Sequence, residues 1–148
     1  MKLPKKLPKS DAVGTSCDFI DLKNGFGLKI YRSRKIRNRH YLGAIWAANL
    51  GFGPKTGIRV KIGNKYGYIT EVIEPLIPYS TEHVGGDNFE KEYLPLCDIV
   101  EKATNVRLYC DAHDGNFGRA KCGKILWLDS GDRCNWENRK KHVRTLAD

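Results

Sequence analysis

Asn24-Gly25 constrains this chain more than any other feature, because it lies between two apolar-rich runs, AVGTSCDFIDL (12–22) and GFGLKIYR (25–32). Asn and Gly accept the backbone angles of a tight turn, so the runs are expected as antiparallel strands. Residues 34–50 (RKIRNRHYLGAIWAANL) follow with helical spacing. Ile36, Tyr41, Ile45, Trp46 and Ala48 are expected to form the apolar face, with Arg and Lys opposite. Gly51 and Gly53-Pro54 end this helix. A second hairpin is read from GIRVKIG (57–63) and KYGYITEVI (65–73), with the turn beginning at Asn64-Lys65 and Glu74-Pro75 breaking the pattern.

The second half is less regular. Residues 76–88 read as a polar loop and 89–104 as a helix weakened by Pro95. VRLYC (106–110) and a loop lead to a short strand at 117–121, a turn at Cys122-Gly123 and the strand KILWLD (124–129). The tail from 133 to 148 suits a final helix. The Lys- and Pro-rich residues 1–10 show no periodicity and are expected to form a flexible arm. With 148 residues the chain has room for one domain. The element order is α+β, and pattern alone leaves several folds open.

Charge is segregated. Residues 1–70 carry 15 Lys and Arg against 3 Asp and Glu (net +12), whereas residues 71–148 carry 11 against 14 (net −3). A basic half suits an anionic partner, such as a nucleotide, a nucleic acid or an acidic protein, and equally a solvated surface. No apolar run approaches the roughly 20 residues that span a bilayer, and no signal-peptide segment follows the basic N-terminus, so a cytoplasmic location is expected. Five cysteines, an odd number without a Cys-x-x-Cys unit, read as reduced thiols.

The chemistry-bearing stretch is Tyr109-Cys110-Asp111-Ala112-His113-Asp114-Gly115-Asn116, followed by Gly123-Lys124-Ile125-Leu126-Trp127-Leu128-Asp129-Ser130-Gly131-Asp132. Phosphoryl transfer needs one carboxylate to orient a hydroxyl and accept its proton, plus an Asn and an Asp to hold Mg²⁺ against the phosphates. Asn116 and Asp129 are thirteen apart, and a hairpin between them would bring both side chains to its mouth. Oxygen donors suit Mg²⁺. Read singly, Asp111, Asn116 and Asp129 could equally be turn or strand-end residues.

Asp-x-His-x-x-Asn, an apolar strand and Asp-x-Gly-Asp resemble the aminoglycoside phosphotransferase and choline kinase branch of the protein-kinase-like fold. The resemblance implies a minimal two-lobed α+β fold after a basic arm at 1–11. A β-rich N-lobe with one helix would cover about 12–73, and a small, mostly helical C-lobe about 76–148. It implies Asp111 as catalytic base, Asn116 and Asp129 as Mg²⁺ ligands and His113 as the loop histidine. Lys29, in Gly27-Leu28-Lys29-Ile30, would bind the ATP phosphates, with Gly14 in a covering hairpin, Gly14-Thr15-Ser16. Glu71 and Ile73 would be hinge residues whose backbone holds adenine. The implied activity is transfer of the ATP γ-phosphate to a hydroxyl of a protein or small molecule.

Two departures from the family stand out. Residues 22–70 contain no acidic residue, so the first helix lacks the glutamate that pairs with the phosphate-binding lysine, and Lys29 needs another acid, Asp129 being the candidate, or the active arrangement is lost. Only 16 residues follow Asp132, too few for a peptide-substrate platform. Both departures suit a pseudokinase or inhibitor that acts by binding a protein. A nucleic-acid-binding protein is the other alternative, with Tyr66 and Tyr68 as stacking platforms, carried by charge alone. Cys110, His113, Cys122 and Cys134 are zinc-type donors without finger spacing. Trp46, Trp127 and Trp136 read as core residues.

Overall fold

The computed structural model describes residues 3–13, 17–76, 90–104 and 116–128. Their order is β1 (Ala12–Val13), β2 (Asp18–Asp21), β3 (Phe26–Tyr31), α1 (Arg34–Asn49), β4 (Thr56–Ile62), β5 (Lys65–Glu71), β6 (Glu74–Pro75), α2 (Glu90–Thr104), β7 (Phe117–Arg119) and β8 (Ile125–Trp127). They form a five-stranded antiparallel sheet ordered β1-β2-β3-β5-β4 and a three-stranded antiparallel sheet ordered β6-β7-β8. The fold is thus mixed α+β, as the patterns indicate. No described helix is long and apolar enough to cross a membrane.

The turn at Asn24 is built by short side chains. Asp21 Oδ1 accepts from the Lys23 N–H at 2.8 Å, and Asn24 Oδ1 from the Phe26 N–H at 3.1 Å. These Asx-type bonds close the loop and fix the register Asp21↔Gly27 and Phe19↔Lys29. The run 12–22 is not one strand, as expected, but two: β1 pairs back on β2, with Ala12 opposite Phe19. Asp11 closes that pair, its N–H bonding the Phe19 carbonyl and its carboxylate the Asp21 N–H.

One face of the large sheet buries Ile20, Leu28, Ile30, Val60, Ile62 and Ile69. Leu3 and Leu7 pack on that cluster. The N-terminal arm, expected to be free, therefore lies across the sheet, because its two leucines cover apolar surface that α1 leaves open.

Helix α1 covers the other face. Ser33 caps it, its side chain accepting from the Ile36 N–H, and Gly51, at φ +79°, ends it. The buried stripe is Arg37, His40, Tyr41, Gly43, Trp46 and Ala47. The expected face is corrected: Ile36 is exposed and Arg37 is inside. Arg37 Nη1 donates to the Val60 and Gly67 carbonyls, at 3.2 and 3.1 Å, and the guanidinium lies over the Tyr66 ring. A planar fork can satisfy carbonyls that an apolar side chain would leave bare. Tyr68 is also corrected. It is buried against Tyr31 and Tyr41, so it offers no stacking platform.

The second core joins both halves of the chain. Tyr93, Leu96, Cys97 and Val100 give α2 one apolar stripe, which packs with Trp46, Ala47, Phe117 and Trp127. Tyr93 and Phe117 stack with centroids 4.5 Å apart. Pro95 sits within α2 on its exposed side, so the helix forgoes one hydrogen bond without losing buried contacts. Glu74-Pro75, expected only to break β5, also pairs with β7 as β6. Arg119 on β7 is ion-paired to Glu92 on α2. The second half thus contributes one helix and a small sheet among the described residues. The expected loop through 88, the run 106–110 and the final helix fall largely or wholly outside them.

Replacing Arg37 with Met keeps the stem and removes the donors. Two strand carbonyls then lose a charged partner, and the expected loss is about 2–4 kcal/mol. Lys35→Met, on the exposed side of the same helix, should stay within about 0.5 kcal/mol. Urea unfolding of both variants checks this, and equal losses would show that Arg37 is not a structural clamp.

Candidate functional site

Lys29 lies on β3, on the sheet face that α1 covers. Its Nζ donates to the Leu128 carbonyl at 2.8 Å, a bond spanning 99 residues. The Leu128 N–H in turn donates to the Asn116 carbonyl at 2.8 Å. Lys29 is therefore linked to Asn116 through the backbone of Leu128, the residue just before Asp129, although nothing local in the sequence links the first to the others. Asn116 is 8% exposed and begins the turn into β7. The Trp127 N–H donates to the Phe52 carbonyl at 2.7 Å, which anchors the end of β8 on the segment after α1. Gly14, Asp111, His113 and Asp129 lie outside the described residues.

Glu71 ends β5, and its backbone is largely committed. The Glu71 N–H donates to the Lys55 carbonyl at 2.8 Å, and the Val72 N–H to the Gly25 carbonyl at 2.9 Å. The expectation that the Glu71 backbone meets a ligand is narrowed to its carbonyl, which also accepts from the Thr70 hydroxyl at 3.3 Å. Ile73 is buried and borders a cleft of about 1030 Å³. That cleft lies among the β2–β3 turn, the end of β5, β6 and the β7–β8 turn, with Phe19, Phe26, Glu71, Val72, Arg119 and Cys122 on its walls. This volume is at the upper end of small-molecule sites.

Phe19 is a candidate for the site that the motifs did not single out. It pairs across the hairpin with Lys29 and so shares its face. Its ring lies against Gly27: a Cβ on Gly27 would stand 2.5 Å from the ring edge. Glycine at 27 is thus the residue that lets the ring lie on the strand. Gly27 and Lys29 are two residues apart on one face, about 6.6 Å. The signal was present, because 19 and 29 are equidistant from Asn24, the centre of the turn.

Among the described residues no three His, Cys, Asp or Glu side chains converge as a metal centre. Of the zinc-type donors only Cys122 is described, exposed at the β7–β8 turn. Cys97 is fully buried, and burial pushes its thiol up to about 11, with Asp98 adding to the rise. At pH 8 Cys97 should therefore remain a thiol and resist iodoacetamide in the folded protein, while Cys122 alkylates. Peptide mapping by mass spectrometry reads the order, and Cys97 reacting as fast as Cys122 would contradict this packing.

No protein-family model matches the chain, and no curated protein matches it.

Proposed function

We propose that the protein binds ATP with Mg²⁺ and transfers the γ-phosphate to a hydroxyl, as a minimal two-lobed kinase-like phosphotransferase. The observation that carries this reading is the chain of two hydrogen bonds that links Lys29 to Asn116 through the backbone of Leu128. Lys29 and Asn116, assigned from separate parts of the sequence, are linked through Leu128, the neighbour of Asp129. In this reading the five-stranded sheet with α1 is the first lobe, α2 with the small sheet belongs to the second, and residues 72–73 connect them.

Phe19 and Lys29 supply complementary ends of a nucleotide site. A flat ring on β2 offers a stacking surface, and an ammonium group one register step away offers a phosphate contact. Asn116 and Asp129 would hold Mg²⁺ through side-chain oxygens, and the ion would neutralise phosphate charge. Asp111 would accept the hydroxyl proton. Residues 22–70 offer no carboxylate to pair with Lys29. The Leu128 carbonyl accepts from its ammonium group and orients it.

A pseudokinase is the second reading, favoured by that missing helix acid. Calorimetric ATP titration with Mg²⁺, followed by transfer from labelled ATP to the protein itself or to host-cell lysate, decides between them. Asp129→Asn is expected to abolish Mg²⁺-dependent binding, and Asp111→Asn to retain binding and lose transfer. Binding without transfer in the wild type selects the pseudokinase. Unchanged ATP binding in Asp129→Asn removes the metal assignment.

The ring is tested separately. Phe19→Leu should weaken ATP binding about tenfold, the scale of one lost stacking contact, and leave tripolyphosphate binding unchanged. Parallel losses for both ligands would take Phe19 out of the base site.

A further inference from the structure

The end of the large sheet that carries the β4–β5 turn is basic, and the nucleotide reading does not use it. Tyr66 marks the place. It pairs with Tyr31 on one side and with Lys61 on the other. Lys65 precedes it, and Arg32 follows Tyr31. Lys35 lies three residues on from Arg32, in the first turn of α1. Arg32, Lys35, Lys61 and Lys65 are all exposed. Lys61 lies over the Tyr66 ring, its Nζ 5.4 Å from the centroid. Among the described residues no hydrogen bond or ion pair engages the side chains of Arg32, Lys35 or Lys65.

Charge and shape decide what fits. Residues 22–70 contain no Asp or Glu, so β3, α1, β4 and β5 supply this end with almost no neutralising carboxylate. The exception is Glu71, at the far end of β5. With no acidic residue in its first turn, α1 adds the positive end of its dipole to the same place. Like charges gathered in this way repel one another, and a bound polyanion relieves the repulsion. The strands offer such a partner no apolar seat here, because Tyr31 and Ile62 are buried, whereas a protein interface has an apolar centre. The Tyr66 ring is half-buried and engages Arg37 and Lys61, so it gives a nucleic-acid base no open platform. What remains is charge spread over three adjacent strands, β3, β5 and β4, about 10 Å across. That span takes about three phosphates of one nucleic-acid strand, at roughly 3.4 Å each.

We propose that this end of the sheet binds the phosphate backbone of nucleic acid, without reading its sequence, through Arg32, Lys35, Lys61 and Lys65. The proposal is independent of the nucleotide site.

The test titrates the full chain into fluorescein-labelled oligothymidylate across a salt series, read by anisotropy. Saturable binding is expected, with log Kd rising against log salt at a slope of about 2, the value for three phosphates of a single strand. Arg32→Glu/Lys65→Glu should weaken binding about tenfold and bring the slope to about 1 or less. Lys5→Glu/Lys9→Glu, the same charge change on the N-terminal arm, should bind as the wild type does. Arg32→Gln/Lys65→Gln should also weaken binding and flatten the slope, and it decides the matter if thermal melting shows the charge-reversed variant unfolded. A duplex of the same length, run alongside, tells which form of nucleic acid supplies the phosphates. Four results overturn the proposal: no saturable binding, a slope near zero, equal loss in both charge-reversed variants, or tighter binding of a polyglutamate of matched charge. The last would assign this end of the sheet to an acidic protein.

Discussion

Helix α1 must satisfy two cores at once, and the rest of the structure depends on that. Its first turns lie on the large sheet through Arg37, Tyr41 and the tyrosine cluster. Its last turns place Trp46 and Ala47 among α2, Phe117 and Trp127. Trp46 is fully buried, and a buried aromatic of 150–250 Å² contributes about 4–6 kcal/mol before entropy is charged against it. That exceeds the 1.5–3 kcal/mol typical of one charge-assisted hydrogen bond. Apolar packing through α1 therefore holds the two sheets together, and the polar bonds between them set position.

The site inherits its geometry from this arrangement. With Trp46 and Trp127 edge to face, their centroids 6.1 Å apart, β8 runs past the segment that follows α1, and Trp127 bonds Phe52. Leu128 is then presented to Lys29. The lysine comes from the rigid centre of the large sheet and the carbonyl from the edge of the small one. A shift of either sheet by even an ångström or two would break their 2.8 Å bond. Long-range contacts held this way are sensitive to packing far from them.

The absence of acidic residues between 22 and 70 has two structural effects. Inside, Arg37 meets the Val60 and Gly67 carbonyls and the Tyr66 ring, and Lys29 meets the Leu128 carbonyl. These carbonyl dipoles orient both cations against the strands. Outside, the same composition leaves α1 with a cationic rim. Local composition thus shapes both the buried contacts of α1 and its outer, basic face.

The sequence by itself determined the local elements. Asn24 between two apolar runs defined the hairpin and paired Phe19 with Lys29, because turn chemistry acts over a few residues. Ser33 and Gly51 bounded α1, and the stripe 93, 96, 97 and 100 made α2 amphipathic. The motifs around Asn116 and Asp129 marked the candidate chemistry. What lay beyond the sequence was decided by partners far along the chain. Arg37 reads as a solvent residue until β4 and β5 offer it two carbonyls, and Ile36 reads as core until the helix turns that arginine inward. The leucines of the N-terminal arm have nothing to cover until the sheet exists. The meeting of Lys29 with Leu128 required two cores to form around one helix, a long-range consequence of packing that no local pattern encodes.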